Sequence, residues 1–301
     1  MTSPIPFNRE HDVRYGELET LTPSLRRMTA NNPSAFTFRG TGTYIVGKGE
    51  VAVIDPGPAL QDHVDALVAS LGGETITHIL VTHTHVDHSP ACALLQQVVD
   101  APTYALGPHG MGRLPDNLAA DEGGDFAFRP DVTLVDGQFV EGKDWRLECI
   151  HTPGHTSNHL CFGDNDNKAL FSGDHVMGWS TSIVSPPDGN MGDYMRSLQR
   201  LLARDDDVYW PCHGGPIYRP QEFVRAFIAH REAREQQVLE CLRDGPKTIQ
   251  TMLPTIYPDL APALYPAAHR SILATINYLV EKGEVCAHSE IQANAQYRLA
   301  V

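Results

Sequence analysis

Four metal-binding side chains fall within six residues in the run His83-Thr84-His85-Val86-Asp87-His88, directly after an apolar stretch that reads as a buried strand. The spacing suits half of a two-metal hydrolytic centre. His83 and His85 stand at i and i+2, so on an extended segment both imidazoles leave from the same side. Asp87 and His88 follow across a bend, where they can face a second ion about 3.5–4 Å from the first, the separation that two-metal hydrolysis uses.

One loop supplies too few ligands for two closed shells, so further His or acidic residues are expected downstream, each just past a strand. The alternating segment Trp145 to His151 runs into Thr152-Pro153-Gly154-His155-Thr156, where Pro153 and Gly154 punctuate a turn with His155 at its mouth. The apolar Ala169-Leu170-Phe171 ends in Ser172-Gly173-Asp174, a carboxylate whose two oxygens can bridge two cations. Val208-Tyr209-Trp210-Pro211 leads to Cys212-His213-Gly214. Adjacent residues on an extended segment point opposite ways, so with His213 as a ligand Cys212 is assigned a structural role.

The order HxHxDH, TPGHT, SGD and PxHG resembles the metallo-beta-lactamase-fold superfamily, over a stretch from about Thr43 to Gly214. The resemblance implies a four-layer αββα sandwich with the site at one edge of its two sheets. It places His83, His85 and His155 on one ion, Asp87, His88 and His213 on the other, and Asp174 between them. The stretch Val53-Ile54-Asp55-Pro56-Gly57 matches the first motif of the family, in which the Asp orients ligand groups by hydrogen bonding, so Asp55 is a support residue and not a ligand. The imidazole and carboxylate donors suit two zinc ions per chain and admit iron or manganese. Zinc lowers the pKa of bound water, so a metal-bridging hydroxide is the expected nucleophile, with Asp87 and Asp174 as the catalytic carboxylates.

The 301 residues, 42% of them hydrophobic, are enough for two domains. The expected division is a catalytic domain at 1–220 and a C-terminal domain at 221–301. Strands are expected at Thr43 to Val46, Val51 to Ile54, Thr77 to Val81, near Thr103, and at Val132 to Val135, Arg146 to His151, His159 to Phe162 and Ala169 to Ser172. Helical patterns cover Ala59 to Leu71 and Tyr194 to Ala203, the latter with Leu198, Leu201 and Leu202 on one side. A polar-faced helix then runs from Gln221 to about Arg243 and stops at Asp244-Gly245-Pro246. A short helix near Thr248 to Leu253, a helix from His269 to Lys282 and a small hairpin from Val285 to Leu299 follow. This order resembles a winged-helix module.

The start of the chain is polar and broken by proline, and no stretch approaches the roughly twenty apolar residues that span a bilayer, so a cytoplasmic protein without a membrane partner is expected. Six scattered cysteines without a CxxC pair fit a reducing compartment. The formal charge is −14, and residues 222–301 hold eight Lys or Arg against nine Asp or Glu, so nearly all of the negative excess lies on the catalytic part. Such a surface disfavours long polyanions. The helix His269 to Lys282 carries only Arg270 and Lys282 as basic residues, fewer than a nucleic-acid footprint needs. A packing or dimerisation role is the better reading of the module, which leaves a homodimer open.

Over its whole length the chain resembles the beta-lactamase-like-protein-2 group, some of which cut single-stranded RNA. Gly40 to Gly47, Asp193 to Leu198 and the helix His230 to Leu239 carry that likeness, while the loop Met177 to Asn190 departs from it and is expected to line the substrate cleft. The resemblance therefore implies a di-zinc phosphodiesterase acting on single-stranded RNA. The alternative is hydrolysis of a small carbonyl substrate such as a thioester, ester, lactone or, incidentally, a beta-lactam, and a further one is a mono-iron oxidoreductase like the persulfide dioxygenases. Trp179 fits either a base-stacking surface, worth about 1–3 kcal/mol, or the wall of an acyl pocket. His159 is assigned to ligand support, substrate contact or packing.

Overall fold

The computed structural model describes residues 5–111, 123–287 and 294–300. Strands β1 (Glu19–Thr22), β2 (Leu25–Thr29), β3 (Gly42–Lys48), β4 (Glu50–Ile54), β5 (Thr75–Leu80), β6 (Thr103–Ala105) and β7 (Val132–Thr133) form one sheet in chain order. The first four make an antiparallel meander, of which β1 and β2 precede the first strand the sequence suggested, and only from β4 onward is the pairing parallel. A second sheet runs β8 (Phe139–Glu141), β9 (Arg146–His151), β10 (Leu160–Asp164), β11 (Ala169–Gly173), β12 (Val208–Pro211) and β13 (Ile217–Tyr218).

The period-two burial of these strands builds the layers. Tyr44 and Val46 on β3 and Ala52 and Ile54 on β4 face Leu147, Phe162, Phe171 and Trp210 of the second sheet, forming the central core. Their neighbours Ile45, Val51 and Val53 turn outward onto Val64 and Leu67 of α1 (Gln61–Ser70) and Leu95 of α2 (Ala91–Leu95). Ile150, Cys161 and Leu170 turn the other way, onto Leu198 and Leu201 of α3 (Met191–Leu202) and Phe223 and Phe227 of α4 (Pro220–Leu242). The result is helix, sheet, sheet, helix, as the resemblance implied.

Helix α4 begins near the expected 220/221 division and serves both sides of it. Phe223, Val224, Phe227 and Ile228 complete the outer core of the second sheet, while Val238, Cys241 and Leu242 pack with α5 (Ile249–Ile256), α6 (Tyr265–Glu281), β15 (Val285–Ala287) and β16 (Gln296–Leu299). Strands β14 (Lys247–Thr248), β16 and β15 form a small antiparallel sheet, which with α5 and α6 makes the winged-helix arrangement. Helix α6 also reaches back: Ala274 joins the core around α3, and Asn190 donates to Glu281 Oε1 at 3.1 Å. Lys282 of the expected basic pair is spent on Glu235 and Glu284, at 2.9 and 2.8 Å. No helix among the described residues is long and apolar enough to cross a membrane.

Phe227 is fully buried at the centre of this junction. Phe227→Ala is expected to lower unfolding free energy by about 3–5 kcal/mol, the usual range for emptying an aromatic site. Urea denaturation checks this, and a loss under about 1 kcal/mol would mean that the helix is not packed as described.

Candidate metal centre

The ligand-type side chains enter from the ends of four strands. His83, His85, Asp87 and His88 follow β5, His155 follows β9, Asp174 follows β11 and His213 follows β12. His85 Nδ1 lies 3.0 Å from both His83 Nε2 and His155 Nε2, so three imidazole nitrogens converge on one point. A second trio forms around Asp87 Oδ2, with His213 Nε2 at 3.1 Å and His88 Nε2 at 3.3 Å. Asp174 stands between them: Oδ2 is 3.3 Å from His213 Nε2 and 3.7 Å from His155 Nε2, and Oδ1 is 3.7 Å from His88 Nε2. All seven residues expected to coordinate metal are thus brought together.

The geometry tests whether cations fit. His88 Nε2 and Asp174 Oδ1 are buried and have no hydrogen-bond partner, a costly state for a polar atom unless an ion satisfies it. Three converging ring nitrogens cannot all donate to one another, but all can present lone pairs to a cation. The nitrogen and carboxylate donors match zinc, with iron or manganese also compatible.

The opposite edges of the imidazoles are held by oxygens, which fixes ring orientation. His155 Nδ1 meets Ile183 O at 2.6 Å, His213 Nδ1 meets Gly40 O at 3.2 Å, and His83 Nδ1 meets Thr82 Oγ1 at 3.0 Å. His88 Nδ1 meets Asp55 Oδ2 at 3.0 Å. Asp55 also accepts from Thr82 N at 2.7 Å, Thr82 Oγ1 at 2.6 Å and the Cys212 thiol at 2.9 Å. It is wholly buried and sits in the left-handed region at φ 50°, a conformation an Asp tolerates better than most residues. Asp55 therefore meets His88 on the ring edge opposite the nitrogen that faces Asp87 and Asp174. Cys212 turns to Asp55 while His213 turns to the two aspartates, the opposed directions expected of neighbours on an extended segment.

His159 is fully buried, and both ring nitrogens are engaged: Nε2 accepts from Asp174 N at 3.2 Å and Nδ1 meets Thr152 Oγ1 at 2.8 Å. It braces the main chain that carries Asp174 and has no surface to offer a substrate. Trp179 is half-buried and stacks on Phe38, with ring centroids 4.9 Å apart. It lies over Gly214, where an added Cβ would meet the indole at 3.3 Å, so it walls the site beside His213. The tight turn before His155 needs Gly154, at φ 139°, because a Cβ there would fall 2.3 Å from Tyr194 Cα.

Three positioning residues escaped sequence reasoning. Asp188 is buried and accepts from Ser157 N at 3.0 Å, pinning the His155 turn to the Met177 to Asn190 loop. Asn158 ties Thr84 Oγ1 to Gly107 O at 2.8 and 3.0 Å, joining loops from both sheets. Arg231 of α4 is buried, donates to Ser182 O and lies over the Tyr194 ring, so a helix shared with the C-terminal module holds the loop whose Ile183 carbonyl orients His155. In sequence, Asp188 belongs to a turn and Arg231 to a polar helix, and nothing local distinguishes either.

Charge divides the centre in two. Burial, then His88 and the other imidazoles, hold the His83 pKa well below its ordinary value, and burial and His155 do the same to His85. Burial also opposes charge on His88 and His213, but the carboxylates outweigh it: Asp87 and Asp174 hold His88 well above the ordinary range, and Asp174 and Asp87 push His213 up to about 10. His83 and His85 thus favour the neutral form that can present a lone pair to a cation, while the carboxylates beside His88 and His213 favour positive charge there.

A family model for the metallo-beta-lactamase superfamily matches residues 37–213. The chain belongs to that superfamily. It is a metal-dependent hydrolase, and a second model, the beta-lactamase associated winged helix domain, matches residues 248–292. Lactamase-like protein adaB of Aspergillus niger is 32% identical over 76% of this chain and 67% of its own length. The atrochrysone carboxyl ACP thioesterase dmxR1 of Cryptosporiopsis sp. (strain 8999) is 29% identical over 75% of this chain and 65% of its own. The chain thus spans about two thirds of the length of these curated relatives. Among solved structures, a beta-lactamase domain protein from Burkholderia ambifaria superposes with a TM-score of 0.81 at 20% identity, covering 97% of this chain and 96% of that one. TTHA1623, crystallised in a di-iron-bound form, is 28% identical with a TM-score of 0.50, covering 61% of this chain and 92% of its own.

Asp55→Ala leaves every ligand-type side chain in place but removes the acceptor that holds His88 Nδ1. A weakening of metal affinity by about 10–100-fold is expected, the usual effect of losing such an outer partner. Titration against a competing chelator measures it, and unchanged retention would show that Asp55 does not govern the site.

Proposed function

We propose that this protein is a binuclear metallohydrolase that cleaves thioesters of small acyl groups. The observation that carries the reading is the pair of ligand trios joined through Asp174. His83, His85 and His155 would hold one ion, Asp87, His88 and His213 the other, and Asp174 would face both. Two zinc ions bound there would bring the pKa of a water near neutrality and polarise a substrate carbonyl. The same donors admit iron or manganese.

The chain's own residues then have distinct tasks. Asp55, Gly40 O, Ile183 O and Thr82 keep four imidazoles aimed inward. Asp87 is only half-buried, and its Oδ2 is committed to Thr41, His88 and His213. Its carboxylate would also help to handle the proton of the nucleophile. Trp179 and Phe38 present an apolar wall on the His213 side, suited to an acyl chain.

Relatives named as ACP thioesterases support a small carbonyl substrate over the single-stranded RNA that the sequence put first. The formal charge of −14 points the same way, because a carbonyl substrate does not have to bring a polyanion to an acidic surface. Two trios favour two ions over the single iron of the oxidoreductase alternative. A cytoplasmic setting is compatible with the reduced cysteines.

Hydrolysis of an acyl thioester by metal-loaded protein is expected to fall at least about a hundredfold in His85→Ala and in Asp174→Ala, the scale of losing one electrostatic element of a transition-state site. Metal content is measured in both variants. Near-normal turnover in Asp174→Ala would remove the two-ion reading, and wild-type cleavage of a single-stranded RNA oligonucleotide in preference to the thioester would restore the RNA reading.

A further inference from the structure

The loop that holds His155 has a second face. Ser180 and Thr181 line an open surface cleft of about 1030 Å³, bordered by the N-terminal segment and by helix α4. Its walls are mixed: Phe7 and Leu260 supply apolar surface, while Arg9 and Arg234 supply two guanidinium groups. Thr181 is two residues from Ile183, at most about 7 Å of chain, so one loop both lines the cleft and orients His155. Trp179 makes the same connection from the other end, since its carbonyl accepts from Arg9 Nε at 3.4 Å while its ring lies over Gly214 beside His213.

Both arginines belong to the group that, among the described residues, has no acidic partner, a group that includes Arg225 and Arg231, in a chain with 37 Asp and Glu against 23 Lys and Arg. Nine arginines elsewhere are ion-paired with acidic side chains. Arg234 is also held still: its guanidinium lies 4.2 Å from the Tyr257 ring centroid, and Nη1 donates to Gln237 Oε1 at 2.7 Å and Ile256 O at 2.9 Å. Its Nε is buried without a partner. A fixed guanidinium with donors to spare is the usual recogniser of a planar or tetrahedral oxyanion. Glu10 is the one acidic residue on the cleft and favours a compact anion over an extended one.

We propose that this cleft receives the phosphate end of a phosphopantetheine-type arm, whose thioester end reaches the metal centre across the Ser180–Ile183 loop. The inference rests on the thioester reading and deepens it. Water adds its oxygen to the acyl carbon, the carbon–sulfur bond breaks, and the thiol leaves with a proton while the acyl group departs as a carboxylic acid. The phosphate, bound by Arg9 and Arg234, takes no part in that exchange and fixes only where the arm lies. Coenzyme A and an acyl carrier protein both present this arm.

The full-length protein is assayed with one acyl group on three carriers: coenzyme A, a carrier protein, and N-acetylcysteamine, which lacks the phosphate. Arg9→Ala, Arg234→Gln and the double variant are compared with wild type. The expected result is a KM raised about tenfold in the double variant for the coenzyme A arm, the carrier-protein arm or both, with kcat kept and the N-acetylcysteamine thioester unaffected. Equal losses on all three carriers, or no change on any, would overturn the inference while leaving thioester hydrolysis standing. If wild type cleaves none of the three, the thioester reading itself fails. Calorimetry with 4′-phosphopantetheine then decides the cleft alone, by binding that is lost in Arg9→Ala, whose exposed side chain can be removed without emptying a core. Arginine-dependent binding of an RNA oligonucleotide, tighter than that of phosphopantetheine, would replace the proposal with a nucleic-acid site.

Discussion

One buried carboxylate holds this molecule's chemistry together. Asp55 ends β4, accepts two bonds from Thr82 at the end of β5, fixes His88 in the following loop and takes the Cys212 thiol from the end of β12 in the other sheet. A carboxyl group in a wholly buried position is costly unless its oxygens are hydrogen-bonded, and here each partner belongs to a segment that must be in register for the centre to exist. The left-handed backbone at Asp55 is the local cost of aiming that carboxylate across the sheet.

The ligands are shared between layers. His83, His85, Asp87 and His88 leave the first sheet, whereas His155, Asp174 and His213 leave the second. The centre therefore reports on sheet packing: Tyr44, buried between the sheets, also donates to Pro211 O at 2.7 Å, directly before the segment that carries His213. The C-terminal module enters the same account through α4, since Arg231 holds the loop that orients His155. A module that reads as a nucleic-acid binder by its outline thus has a structural part to play in the active site, and its most conspicuous basic residue after α6 is already paired.

The strands and helices that proved easiest to read were the long ones with a clean period. The alternation of β9, the apolar runs of β3, β4 and β11, which are buried on both faces, and the long α4 are plain in the sequence. Shorter pieces escaped. Strand β1 is mostly polar and exposed or half-exposed, β2 buries Arg27 and Thr29 among its apolar residues, β8 is three residues long, and α2 is a five-residue helix, too brief for either period to show. The hairpin expected over Val285 to Leu299 is seen in its two strands, with its tip at 288–293 outside the described residues.

The sequence by itself picked out the histidines and aspartates that the fold brings to one point, because dense motifs of those residues at strand ends have few other uses in an otherwise apolar context. The layer order followed from the family resemblance that those motifs carry, and the periodicity of strands and helices is compatible with it. Only the tertiary structure decided how those residues are aimed: that His85 presents Nδ1 where its neighbours present Nε2, that His159 braces Asp174 from behind, and that Asp188, Asn158 and Arg231 hold the loops. It alone brought Arg9 and Arg234 to one cleft. Hydrogen-bond direction and electrostatic partnership depend on atoms brought together from distant parts of the chain, and no spacing along the sequence encodes those distances.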